Sequence, residues 1–188
     1  MNRIIRNITV GLIALGAFLG GQAQMLPVKN GRLWGLIMPD GRRVTEADFR
    51  GRYLLLFFGF TNCPDVCPLT LQRIADALNA HPALKERLTP VLVTVDPERD
   101  TPAKLKEYVG FFGPEFRALT GTPEEIAAVL KAYKVYAKRT ELPGSALGYT
   151  MDHSSLIFLY GPDGAFVTAF DPTLDATALG NEMERIVR

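Results

Sequence analysis

A chain of 188 residues, 47% hydrophobic and 22% charged, has enough apolar side chains to build one globular core, and nothing in it points to disorder or a second domain. Twenty-one basic residues face 20 acidic ones, and without Arg3 and Arg6 near the start the balance is 19 to 20. A body so close to neutral argues against nucleic acid as a partner.

Residues 1–23 read as a leader and 24–188 as the folded domain. Arg3 and Arg6 precede an apolar core from Ile8 to Leu19, and Gly21-Gln22-Ala23 offers the small residues of a cleavage site. A membrane-spanning helix wants about 20 apolar residues, which here means including Gln22 and Gln24. That favours a signal peptide over an uncleaved N-terminal membrane anchor. Either way the body is expected to be exported to the periplasm, soluble after cleavage or held at the inner membrane.

In chain order, Leu33 to Ile37 predicts a short strand, Pro39-Asp40-Gly41 a turn, and Arg42 to Val44 its hairpin partner. Trp34 sits in this front hairpin, to pack or to meet a partner. Glu46 to Phe49 is one helical turn at most. Tyr53 to Phe60 is uncharged and rich in Leu and Phe, as in a strand buried on both faces of a parallel sheet. Cys63-Pro64-Asp65-Val66-Cys67-Pro68 follows at once. Proline is tolerated in the first turn of a helix, so Pro68 puts a helix start close to Cys67, and Leu71, Ile74, Ala75 and Leu78 form its apolar stripe. Both cysteines of the chain thus lie between the carboxyl end of a central strand and the amino end of a helix, where open α/β sheets carry chemistry and the helix dipole favours thiolate.

Leu88 to Val95 is a second buried strand, ending in the loop Asp96-Pro97-Glu98-Arg99-Asp100. Thr101-Pro102 caps a helix running to about Phe112. Phe116 to Thr120 is a short strand, and Thr122-Pro123-Glu124-Glu125 is a capping box for a helix through Tyr133. Lys134 to Met151 is polar and is expected to be irregular. Ser155 to Tyr160 and Ala165 to Phe170 flank Gly161-Pro162-Asp163-Gly164 as a hairpin, and Asp175 caps a last helix. This order predicts an α/β fold: a thioredoxin-like three-layer sandwich with a central mixed sheet, an extra N-terminal β-hairpin and a β-hairpin insertion near the C-terminus. Phe111, Phe112 and Phe116 are expected to close the core, and Lys104, Lys106 and Glu107 to form a solvated helix face.

Two cysteines this close make a small disulfide loop, a redox couple or a metal site. His81, at the far end of the cysteine helix, reads as a surface residue. His153 lies just before the strand Ser155 to Tyr160, where a thioredoxin-like fold brings a loop against the thiols. Two thiolates and one imidazole suit Cu(I), with Zn(II) as competitor. On a regular helix, cysteines four apart have Cβ atoms about 5 to 6 Å apart, too far for a disulfide, which wants about 3.5 to 4.5 Å. With Cys63 in the loop, either a disulfide or a shared metal comes within reach. Met151 would point the same way as His153 in an extended segment and could approach a metal through its thioether, although packing is the commoner use of methionine.

Three motifs in order carry a resemblance: Thr61-Asn62-Cys63-Pro64-Asp65-Val66-Cys67-Pro68, then Asp96-Pro97-Glu98-Arg99-Asp100-Thr101-Pro102, then Tyr149-Thr150-Met151-Asp152-His153-Ser154. Over roughly Leu33 to Val187 the chain resembles the Sco/SenC family of exported copper-binding proteins. The resemblance implies that Cys63, Cys67 and His153 bind one copper as Cu(I) or Cu(II). It further implies a role in maturing the dinuclear CuA centre of cytochrome c oxidase, by delivering copper, by reducing the receiving thiols, or both. The implied partners are the copper-bearing oxidase subunit and another copper chaperone as donor. Asp96, Asp100 and Asp152 match family positions near the metal. Their hard carboxylates suit support of the site or partner contact better than Cu(I) ligation, and Asp96 and Asp100 also fit plain loop-shaping roles.

The chief rival is a thiol-disulfide oxidoreductase in which Cys63 attacks and Cys67 resolves. It leaves His153 idle, and the chain has Asp152-His153-Ser154 where thioredoxins usually carry a proline before the matching strand. A peroxiredoxin would want threonine three residues before its reactive cysteine, whereas Thr61 is two before Cys63. A purely structural disulfide closing so small a loop would constrain the unfolded chain little.

Overall fold

The computed structural model describes residues 35–187. The expected leader, Leu33 and Trp34 lie outside that range. No helix of the described residues is long and apolar enough to cross a membrane.

The fold is built on β3 (Tyr53–Gly59), whose last six residues are all buried. A strand covered on both faces needs apolar side chains pointing both ways, which is why the run does not alternate. Leu55, Leu56, Phe57 and Phe58 are each at most 1% exposed, and burial of such a side chain contributes about 1.5–3 kcal/mol. β4 (Leu88–Thr94) pairs with β3 in parallel and β5 (Arg117–Leu119) pairs with β4 in parallel. β8 (Ile157–Tyr160) lies antiparallel on the other side of β3, and β9 (Phe166–Phe170) follows it through the Gly161–Gly164 turn. The five-stranded order is β5-β4-β3-β8-β9, a central mixed sheet. The front hairpin, β1 (Leu36–Ile37) with β2 (Arg43–Val44), joins the sheet through paired backbone bonds between Ile37 and Thr120 of 2.6 and 2.9 Å.

Helices cover both faces. α1 (Val66–Ala80) buries Leu71, Ile74, Ala75 and Leu78, the stripe expected from their spacing, and packs beside α5 (Ala176–Ile186). Side chains alternate along a strand, so Phe57 and Phe58 look opposite ways. Phe57 shares its side with Cys67 of α1, since a Cβ on Gly59 would meet both. Phe58 meets Tyr133 of α4 (Pro123–Tyr133) at 5.5 Å between ring centroids. Thr101 and Thr122 cap α3 (Pro102–Gly110) and α4, and Asp175 caps α5.

Four expectations need correction. The segment after Tyr133 is not irregular: β6 (Ala137–Glu141) and β7 (Tyr149–His153) form a separate two-stranded hairpin. Lys134, left-handed at φ 56°, ends α4 and turns the chain into it. A short helix, α2 (Pro82–Arg87), follows α1 where none was expected. His81 is not simply on the surface. Its side chain is 16% exposed and contacts Glu184 at 3.3 Å, and its ring occupies the space that a Cβ on Gly180 of α5 would fill. Phe112 and Phe116 close the core with rings 6.0 Å apart, but Phe111, past the end of α3, is 77% exposed.

Candidate metal centre

β3 ends at Gly59 and the chain turns immediately, with the Cys63 N–H donating to the Phe60 carbonyl at 3.3 Å. Asp65 is the N-cap of α1 but its side chain caps nothing. Its place is taken by sulfur: the Cys67 N–H donates to Cys63 Sγ at 3.4 Å. Cys63 therefore sits over the positive end of the helix, half-buried, while Cys67 in the first turn is fully buried. Gly59 makes room for it, because a Cβ there would stand 3.1 Å from Cys67 Sγ, 2.9 Å from the Phe57 ring and 3.2 Å from Leu92.

The third donor arrives from the other direction. His153 is the last residue of β7, and its Nε2 lies 3.5 Å from Cys67 Sγ. Its Nδ1 is 3.0 Å from the Ser154 carbonyl, an acceptor only, so Nδ1 carries a hydrogen and Nε2 is the ring nitrogen that faces the sulfurs. Phe57 and Phe60 stand edge-on to the imidazole at 6.3 and 5.8 Å. The donor atoms of Cys63, Cys67 and His153 all lie within 4.8 Å of one another.

The two thiols are electrically unequal. Hydrogen bonding from the Cys67 thiol holds Cys63 well below the ordinary thiol range; His153 adds to this and burial opposes it. That same bond to Cys63 keeps the proton on Cys67, and burial raises it further. The pair thus presents an accessible thiolate and a buried thiol. Tyr108 of α3 has its hydroxyl buried with no hydrogen-bond partner among the described residues. Burial, and then the negative charge of the dithiol pair and of Asp100, raise its pKa.

Asp100 is wholly buried below the cysteine loop. It accepts from the Thr61 N–H at 3.1 Å, the Thr61 hydroxyl at 2.5 Å and the Thr94 hydroxyl at 2.6 Å, tying the loop to the end of β4. Asp96, 2% exposed, serves the opposite arm. It accepts from Arg99 Nε at 2.5 Å and from the Tyr149 hydroxyl at 2.8 Å. Arg99 Nη1 also donates to the Tyr149 carbonyl at 3.0 Å, and its guanidinium lies 3.6 Å from the Tyr149 ring centre. Arg139 of β6 covers the other side of that ring at 3.7 Å and reaches Glu98 at 3.1 Å. The loop after β4 thus braces both halves of the site.

Asp152 is not brought to the thiols. It alternates to the exposed side of β7 and accepts from Thr140 at 2.6 Å. Met151, half-buried, packs against the core. Tyr149, Arg99 and Arg139 were not singled out from sequence as supports. Tyr149 opens the third motif and Arg99 lies in the second, but only the fold shows that the two meet.

An α/β domain with a dithiol at a strand-to-helix turn and an imidazole facing it is a thioredoxin-like protein equipped with a third soft donor. The chain belongs to the SCO1/SenC family, whose model matches residues 23–188. It is 40% identical over 159 residues to Protein SCO1 homolog 1, mitochondrial, of Arabidopsis thaliana, covering 82% of this chain and 46% of that one. To the human Protein SCO1 homolog, mitochondrial, it is 40% identical over 143 residues, 73% of this chain and 46% of the relative. It therefore spans about half the length of these curated relatives. Among solved structures, ScoI of Arabidopsis thaliana with copper bound superposes with a TM-score of 0.77 at 38% identity, over 83% of this chain and 95% of that one. ScoI of Bradyrhizobium japonicum with copper bound gives 0.74 at 38% identity, over 83% and 97%.

Proposed function

We propose that this chain is a copper-binding assembly protein whose Cys63, Cys67 and His153 carry one copper ion as cargo for the CuA centre of cytochrome c oxidase. The observation that carries the reading is the convergence of two sulfurs and one ring nitrogen within 4.8 Å. Two thiolates and an imidazole, with no carboxylate among them, form a soft donor set suited to Cu(I). Copper in the two related ScoI structures supports the choice over zinc. The copper-bearing oxidase subunit is the recipient, another copper chaperone the donor. Residues 1–23 act as the export leader or anchor, and the domain works in the periplasm.

His153 acts here as the orienting ligand, its Nδ1–H fixed on the Ser154 carbonyl so that Nε2 meets the ion. Cys63 is ready as thiolate, and Cys67 must give up its proton as the ion enters. The test is titration of the reduced full chain with Cu(I) against a chromophoric chelator. One copper per chain is expected, lost in Cys63→Ser and in Cys67→Ser. Zinc in its place, or no metal, overturns the reading.

A second reading rests on the inequality of the thiols. Accessible, thiolate-prone Cys63 can attack a partner disulfide, and buried Cys67 can then displace the partner thiol, leaving a Cys63–Cys67 disulfide and two reduced partner thiols. His153→Ala separates the two. Lost copper affinity with retained disulfide exchange supports the metal reading, and unchanged copper binding sinks it.

A further inference from the structure

At the opposite end of the sheet from the thiols, a cavity of about 340 Å³ opens between the front hairpin, the turn Glu46–Phe49 and the starts of β3, β4 and β5. That volume is in the range of small-ligand pockets, about 300 to 1,000 Å³. Met38, Val44 and Phe49 form its apolar floor, and Arg42, Arg50, Arg52 and Arg117 its rim. In a domain with nearly balanced charge, four guanidinium groups around one cavity are a local excess.

Their hydrogen bonds hold them without neutralising them. Arg52 donates to the carbonyls of Lys85 and Leu88 at 2.6 and 2.9 Å and to the Thr89 hydroxyl at 3.0 Å. Arg117 donates to the carbonyls of Pro114 and Phe116 at 2.7 and 3.0 Å, and Arg50 to that of Asp163 at 3.1 Å. A neutral carbonyl fixes a guanidinium's direction and leaves its charge in place. Arg42 has a carboxylate near it, Asp40 at 3.8 Å, in a pair about 60% exposed, where such contacts contribute little. Two carboxylates also line the pocket, and one of them, Asp48, is within electrostatic reach of Arg42, so four guanidinium groups against two carboxylates leave a net excess of two positive charges. Glu115 pairs with Lys85 at 3.4 Å, and Asp48 accepts from the Thr45 N–H and hydroxyl at 2.8 and 3.1 Å.

We propose that this pocket binds an oxyanion of the phosphate class, its oxygens taken by the planar forks of the rim arginines. The ligand is either a free phosphate or the headgroup of an anionic phospholipid. The position suits the second source where residues 1–23 stay in place as an anchor: the pocket borders the front hairpin, which follows the apolar run Ile8 to Leu19 in the chain. The seven residues of β3 separate the pocket from the cysteine loop by about 23 Å. A domain seated on a bilayer by this end would present its dithiol away from the lipid.

The experiment uses the full chain and two arms: calorimetric titration with inorganic phosphate, and co-sedimentation with phosphatidylcholine vesicles with or without phosphatidylglycerol. The Arg42→Gln, Arg50→Gln double variant removes two exposed rim charges and spares the bonds of Arg52 and Arg117 to the sheet. Saturable binding in at least one arm is expected, weakened at least about tenfold in the double variant. Arg42→Gln alone should give an intermediate loss, and Arg185→Gln on α5 none. Binding in the phosphate arm identifies a soluble anion, and binding confined to phosphatidylglycerol vesicles identifies the headgroup. Failure of both arms, or equal binding by wild type and double variant with copper stoichiometry intact, overturns the proposal.

Discussion

The two arms of the metal centre are made differently. The sulfur arm grows out of the densest part of the molecule: β3 is buried along nearly its whole length, α1 packs its apolar stripe on the sheet, and Asp100 locks the intervening loop from below. The imidazole arm is the open end of a two-stranded hairpin outside the central sheet, with half-buried and exposed residues, and a polar clamp of Asp96, Arg99, Tyr149 and Arg139 holds the other end of the same strand. The sulfurs are therefore fixed to the core, while the imidazole comes from a separate hairpin and is held by the Ser154 carbonyl and the edges of Phe57 and Phe60. For the proposed role as a copper carrier, which must hold an ion and also let it go, this division would assign holding to one arm and adjustment to the other.

The sharpest way to break the comparison is Asp100→Ala. It strands Thr61 and Thr94 without their buried acceptor and should cost about 3 kcal/mol in chemical denaturation. An effect within experimental error would show that the sulfur arm does not depend on this brace. The thiol inequality comes next. Because its folded-state pKa is depressed, Cys63 contributes stability that is present above the unfolded thiol pKa and lost as pH falls toward the folded value. Its alkylation by iodoacetamide in the reduced, metal-free protein should change little between pH 8 and pH 6. An unperturbed thiol of pKa about 8.5 slows roughly a hundredfold over that interval. Such slowing, or equal labelling of Cys67, would contradict the assignment.

Arg99→Ala tests the other arm. Loss of the pair with buried Asp96 should cost about 2 kcal/mol and weaken copper binding, with Cys63 alkylation unaltered. Altered alkylation would mean that the two arms are not independently supported. Tyr149→Phe, which removes the hydroxyl bond to Asp96 and keeps the ring between two guanidinium groups, should cost about 1 kcal/mol by thermal unfolding. Both clamp variants are expected to leave the phosphate-class pocket unchanged.

The same division explains what was legible in the chain. β3, the cysteine turn, α1 and the capped helices follow from local signals: an uncharged apolar run, a proline at a helix start, and Thr-Pro pairs at helix entrances. The front hairpin and the Gly161–Gly164 hairpin follow from their turns. β6 left no such trace. Ala-Lys-Arg-Thr-Glu buries no face in the core, so it shows no alternation of apolar and polar residues, and its existence depends on pairing with β7. His153 stood out as the one histidine ahead of a strand, but its approach to the sulfurs is set by that hairpin. Asp96 and Asp100 stood out as loop residues beside a helix cap. Their opposite duties were not legible, because Thr61 lies 39 positions before Asp100 and Tyr149 lies 53 after Asp96.

Gly59 gives this arrangement a tolerance. The hydrogen where a Cβ would stand faces the Cys67 sulfur, the Phe57 ring and Leu92 at once, so a methyl group added there must push at least one of them aside by a few tenths of an ångström. All three are at most 1% exposed, and the Phe57 ring, at 2.9 Å, is the tightest of the contacts. Substitution at this position would press on the sulfur and on the ring that stands edge-on to His153 together. The width of one hydrogen atom sets how closely the buried thiol can stand to its partners.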